Sequence, residues 1–336
     1  MYADLNPSTL GDPTSRATKE LASVTSAYKS AVANGVTLGG QYIDSTMGFG
    51  ACGMVNLRAT SLRTSAHPPV FDVEGNVGVL FAQSLFSFLK IVSDTVRGRG
   101  QYLFGNALWD IPQLSFPGIF DVSGTETGWQ IDGEFHPPTP KQHRFKRAMT
   151  AAQPYLYLMD TDWNTWTSGD TDQYLQICLA YGLWPGFFSA DAASATYFTN
   201  ASMYNRDRPL FQQFIPPLRR INAAGWRPLT FAKVSSTAAT TPFQLERWGD
   251  GFAANRTDGS SGELFFTLRC LGTAPSTNVM LTLDREELGI AAGAKYMVDE
   301  IAQTAGASGE LAEDGVVKLD HIAANATLVL QVKRAH

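Results

Sequence analysis

The sequence predicts an α/β fold built on parallel strands and followed by an antiparallel β-sandwich. Three observations lead there. Helical and strand-like segments alternate over the first two thirds of the chain. Carboxylates and amides collect where those strands end. After Trp226 the texture changes to short β-rich runs separated by Gly, Ser, Thr and Asn turns.

The elements follow in order. Residues 14–33 place Leu21, Val24, Tyr28 and Val32 on one helical face, and Gly35 ends the helix. VTLGGQYIDST reads as a strand, succeeded by a glycine-rich loop through Gly48, Gly50 and Gly53. Residues 76–97 form a second amphipathic helix closed by Gly98 and Gly100, and QYLFGNA is the next apolar strand. PGIFDVSGTE reads as a third strand, PKQHRFKRAMTAA as a helix, and PYLYLMDTD as a fourth strand ending in acids. Residues 171–188 are apolar throughout, a short helix running into a fifth strand, and DRPLFQQFIPPLRRINAAG is a helix that stops at Gly225. RPLTFAKV, FQLERWG, GELFFTLRCL, NVMLTLD and TLVLQVK then supply the sandwich. The expected domains are 1–228 and 229–336.

Composition narrows the function classes. With 44% hydrophobic and 17% charged residues in 336, the chain has an ordinary globular balance. Its 26 Lys+Arg against 31 Asp+Glu give a net charge of -5 with no basic stripe, so nucleic acid is not an expected partner. No window approaches a membrane-spanning length, and MYADLNPSTL lacks the basic-then-apolar pattern of an export signal. Localisation stays open, with secretion expected only from a longer parent that carries such a signal. Cys52, Cys178 and Cys270 are far apart and odd in number, which reads as buried thiols. The five His form no HxH or HExxH pair, and no GxSxG, P-loop or GxGxxG opens a helix. Neither metal nor cofactor is expected.

Strand ends carry the chemistry. Asp44 ends the first strand, Asn106 the second, Asp121 and Glu126 follow the third, and Asp160 and Asp162 the fourth. In a β/α barrel the catalytic groups lie on that rim, because the βα loops build it. An Asp at a strand end also caps turns and helices, the reading that suits Asp160 and Asp162 best. Asp44 differs, because glycines follow it and no helix begins within reach. Two carboxylates across such a rim suit glycosidic cleavage, one attacking the anomeric centre and the other protonating the leaving oxygen. Trp109, Trp129, Trp163 and Trp184 offer either sugar-stacking faces or core packing.

YIDS, the GN after a long helix, FDVSGTE, YGLWPGFF, NRDRPLF, AGWRPLT and ERWG together resemble the second half of a TIM-barrel glycoside hydrolase with its C-terminal β-sandwich. The layout is similar to the broad α-glucosidase and α-galactosidase group of retaining enzymes. The resemblance implies a partial β/α TIM barrel, an oligosaccharide or glycoside substrate, and Asp44 as nucleophile. Two strands later it implies Glu126 or Asp121 as acid/base; Glu126 is favoured for its reach and its neighbour Trp129. Asn106, Trp109, Trp129, Asp160, Trp184 and Arg206 are the expected substrate contacts. Such a barrel has eight strands in about 250 residues, whereas five strands are readable before the sandwich. A non-catalytic carbohydrate-binding protein or an inactive truncated barrel on the same scaffold, or an unrelated α/β lyase or isomerase, is the alternative.

Overall fold

The computed structural model describes residues 10–44, 46, 55–56, 67–106, 118–189, 196–237, 242–252, 262–302 and 308–335. Trp109, Cys52 and the glycines at 48, 50 and 53 lie outside them. The chain divides into two compact units, Met1–Glu126 and Thr127–His336.

The first unit opens with α1, Arg16–Ala33, whose N-terminus is capped by the Ser15 hydroxyl accepting from the Thr18 N–H at 3.1 Å. Strands β1 (Gly40–Ile43), β5 (Tyr102–Gly105) and β6 (Val122–Thr127) run parallel in that spatial order. Between β1 and β5 in sequence come β2 (Val55–Asn56), β3 (Pro69–Phe71) and β4 (Val77–Leu80), an antiparallel trio with β4 in the middle. Helix α2, Phe81–Arg97, follows β4 directly. The helix expected over 76–97 therefore loses its first residues to β4. There the β-branched Val77 and Val79 suit a central strand paired on both sides, and strand pairing outweighs the helical spacing that follows. Leu85, Phe88, Leu89, Val92 and Val96 of α2 are buried at helical spacing, and the Ser93 hydroxyl donates to the Ile119 carbonyl at 2.8 Å.

The second unit begins with a two-residue hairpin ladder, β7 (Gln130–Ile131) and β8 (Glu134–Phe135), and then α3, Pro140–Thr150. Strands β9 (Tyr155–Thr161) and β10 (Trp184–Ser189) are a parallel pair joined through α4, Ser168–Tyr181. Helix α5, Ala201–Ala224, tolerates Pro209, Pro216 and Pro217 within its span. From Trp226 onward every pairing among the described residues is antiparallel. One sheet runs β11 (Trp226–Arg227), β13 (Phe243–Trp248), β14 (Leu264–Cys270), β19 (Thr327–Arg334), β16 (Tyr296–Glu300), β17 (Ser308–Glu310); the other runs β12 (Ala232–Ser235), β15 (Ser276–Leu283), β18 (Val316–Ile322). Leu264, Phe266 and Leu268 of β14 meet Val279, Leu281 and Leu319 of the second sheet in a shared core, as in a sandwich.

Helix α4 explains its own sequence. An amphipathic helix buries one stripe, but α4 is buried on two. Tyr174, Ile177, Cys178 and Tyr181 join the aromatic core around β9 and β10, while Leu175 and Leu179 pack with Phe214, Leu218, Trp226, Trp248, Phe265 and Val329. A segment covered on both sides must be apolar nearly all round, which is why 171–188 shows no clear period. β14 is buried on both faces for the same reason. Its even residues fill the sandwich, whereas Phe265 packs in the core shared with Leu175 and Leu179, and Thr267 donates to the Ala180 carbonyl at 2.6 Å. Gly182, at φ 62°, ends α4 in the left-handed region with the Trp248 ring against its Cα, so that any side chain there would collide.

The architecture is mixed α/β, with parallel strands in each unit and antiparallel sheets besides. A closed barrel is not formed among the described residues. No helix among them is long and apolar enough to cross a membrane.

Candidate functional site

The parallel register of β1, β5 and β6 places the polar residues. Ile43 lies beside Gly105, and Gly105 beside Ser123. One residue further along, Asp44 and Asn106 leave their strands side by side. Backbone bonds fix them: the Asn106 N–H donates to the Ile43 carbonyl at 3.0 Å, and the Thr46 N–H to the Asn106 carbonyl at 3.1 Å. Gly105 is required locally, because a Cβ there would meet the buried Phe120 ring at 2.6 Å.

Asn106 is only 2% exposed, and its side chain is held between two acids. Its Nδ2 donates to Asp44 Oδ1 at 2.7 Å and to Glu126 Oε1 at 2.9 Å. Because both oxygens accept from one nitrogen, they lie no more than 5.6 Å apart. Asp44 is exposed and Glu126 half-buried, so both carboxylates can be reached by a ligand.

Tyr42 completes the cluster. Its hydroxyl donates to Asp44 Oδ1 at 3.2 Å, and its ring lies edge-on to Phe104. Partial burial, then the negative charges of Asp44 and Glu126, push the phenol well above its ordinary range. It therefore stays a neutral donor. Sequence reasoning passed over Tyr42, although its place two residues before Asp44, on the same face of the strand, is the signal that finds it.

The remaining expected residues scatter. Asp121 precedes β6, at the end of the strand opposite Glu126. It accepts from the Leu103 N–H at 2.8 Å and pairs with Arg97 at 2.9 Å, tying the end of α2 to the strands. The expectation that Asp121 sits on the rim fails because the strand starts at Val122, later than its sequence implies. Trp129 is 1% exposed and ringed by Phe135, His143, Tyr157 and Tyr174, so it presents no face to a sugar. Trp163 is likewise buried, donating to the Phe188 carbonyl.

Trp184 opens β10 opposite Leu156, whereas Asp160 lies near the C-terminal end of β9 opposite Phe188. The two occupy opposite ends of the parallel pair. Asp162 caps its own turn, accepting from the Asn164 N–H at 3.0 Å. Arg206 grips the fully buried Asp207 with two hydrogen bonds, at 2.7 and 2.8 Å, and donates to the Trp166 carbonyl at 3.1 Å. Burial works to raise the Asp207 carboxyl, but bonds from Arg206, Thr171, Ser168 and Tyr197 outweigh it and hold it below the usual range. This is a brace between α4 and α5, with Thr171 donating at 2.7 Å. Trp109 lies outside the described residues. Among those residues, no group of three His, Cys, Asp or Glu could hold a metal ion.

Compared with protein-family models the chain matches none, and comparison with curated proteins finds no match. Among solved structures, a similar chain is the crystal structure of the GH39 enzyme from Xanthomonas axonopodis pv. citri. Identity is 11%, 75% of this chain and 64% of that one are covered, and the TM-score is 0.23. The chain thus spans less than two thirds of that enzyme's length, and a likeness at this score carries no argument about fold or activity.

Proposed function

We propose that the protein is a retaining glycoside hydrolase acting on an oligosaccharide or glycoside, with Asp44 as nucleophile and Glu126 as acid/base. The observation that carries this reading is the pair of accessible carboxylates bridged by one Asn106 amide. Retaining glycosidases keep their two carboxyl groups about 5–5.5 Å apart, whereas inverting ones need about 6.5–9.5 Å to admit a water. Two oxygens held no more than 5.6 Å apart fit the first class and fall short of the second.

The step follows from that spacing. An Asp44 oxygen attacks the anomeric carbon as its bond to the leaving oxygen breaks, and Glu126 delivers its proton to that oxygen. Glu126, now a carboxylate, takes a proton from water, which displaces Asp44 and regenerates both groups. Asn106 orients both carboxylates, and the Tyr42 hydroxyl donates to Asp44. The polar C-terminal ends of β1, β5 and β6 fit the rim of a β/α barrel, so the barrel assignment belongs to the same proposal. Asp121, held by Arg97 and Leu103, is left out of the chemistry.

Aryl glycosides of several sugars test the reading. Turnover of at least one is expected, falling below a tenth in Asp44→Asn. Glu126→Ala should regain turnover of activated substrates when azide is added. No hydrolysis across the panel, with sugars still bound, would instead favour a non-catalytic carbohydrate-binding protein.

A further inference from the structure

Strand β13 is paired with β14 along its whole length, but β11 covers its other edge only at Arg247 and Trp248. The chain then leaves that sheet. Pro228 follows β11, Phe231 takes a left-handed φ of 48° with the Arg247 guanidinium 4.9 Å over its ring, and β12 joins the other sheet. Four positions on the outer edge of β13, Phe243 to Glu246, are left without a strand neighbour among the described residues. They span about 13 Å.

The ladders fix the direction of the outer backbone groups. Cys270 sends its N–H to Ala326, away from β13, so its partner Phe243 points its own N–H and C=O outward, and Leu245 does the same. On β12, Leu283 sends its N–H to Gly315, so Ala232 and Val234 point outward too, the Ala232 carbonyl accepting from the Thr230 hydroxyl at 3.3 Å. These four residues line one groove of about 410 Å³, together with Thr230, Gln244 and Arg144.

Arg144 gives the groove its charge. Its Nε is 3.1 Å from Oε1 of the fully buried Glu246, which also accepts from Gln244 and, at 2.9 Å, from the Trp226 indole. Arg147, also buried, lies within electrostatic reach of the same carboxylate. Arg144 meets Glu246 through Nε and is itself 47% exposed, so its guanidinium keeps donors for a carboxylate in the groove.

We propose that this groove binds an extended peptide strand bearing an acidic side chain, which pairs with the outer edge of β13 where β11 stops and seats its carboxylate on Arg144. Outward N–H and C=O groups repeating every second residue match a peptide backbone in pairing register; sugar hydroxyls have no such period. The strand occupies the seat that β11 vacates, and the proposal is independent of the glycosidase reading.

A fluorescein-labelled, C-terminally amidated Thr-Val-Thr-Val-Glu peptide, titrated with the full chain and read by anisotropy, tests it. Saturable binding is expected, weakened at least tenfold in Arg144→Gln and by ending the peptide in Gln. Methylating alternate peptide nitrogens should abolish binding, and that arm decides alone if the variant fails to fold. Absence of binding, or unchanged binding of the methylated peptide, overturns the proposal. So does Arg144-dependent binding of trigalacturonate without binding of the peptide, which would give the groove to an acidic sugar.

Discussion

Oδ1 of Asp44 accepts a hydrogen bond from the Asn106 side chain at 2.7 Å across two strands, although 62 positions separate the residues in sequence. The same nitrogen reaches Glu126, so one buried amide sets the spacing of both acids. Replacing Asn106 with Ala removes a preorganised donor without changing either carboxylate. A loss of about 10²–10³ in kcat is expected, the cost of deleting one such donor in other active sites. KM for aryl glycosides should change far less, and steady-state kinetics separate the two.

Tyr42→Phe keeps the edge contact with Phe104 and deletes only the hydroxyl that meets Asp44. One neutral hydrogen bond to a charged group contributes about 1.5 kcal/mol, so kcat/KM is expected to fall about tenfold. Chemical denaturation should move little, because the ring stays.

Asp121→Ala distinguishes a brace from a catalyst. The Arg97 pair is partly exposed and screened, while the Leu103 N–H loses its acceptor. Together these cost about 1–2 kcal/mol of stability, seen in urea unfolding. Turnover per folded molecule should stay near the parental value, and azide should add nothing.

Acid should destabilise the second unit through His143. Burial first, then the positive charges of Arg269 and Lys146, push its imidazole down to about 3 from an ordinary 6.5. Between those values the unfolded chain binds the extra proton, so this contribution is complete above pH 6.5 and is lost as pH falls. At pH 4.5 the loss amounts to about 2–3 kcal/mol. Thermal melts of wild type and His143→Leu across pH 7.5 to 4.5 check it, because the variant should lack this part of the acid slope.

The site was partly legible in the sequence. Asp44 and Asn106 could be placed because each ends an apolar run, and a parallel register aligns strand ends. Asp121 could not, since five residues decide whether an acid lies at the start or the end of a strand, and FDVSGTE carries one acid near each of its ends. The tryptophans were illegible for another reason: the same ring fills a core or stacks on a sugar, and only packing separates Trp129, enclosed by four rings, from an exposed platform. The antiparallel sheets after Trp226 showed through their turn spacing. Their continuity with α4 did not, because it depends on which side of β14 each residue faces.

Trapping of the glycosyl enzyme with an activated fluoro-glycoside, followed by peptide mass mapping, decides whether Asp44 is the nucleophile. One sugar per chain is expected, attached to Asp44, with labelling slowed in Asn106→Ala. A label on Asp121 or elsewhere, or turnover that releases product of inverted configuration without any label, would contradict that role.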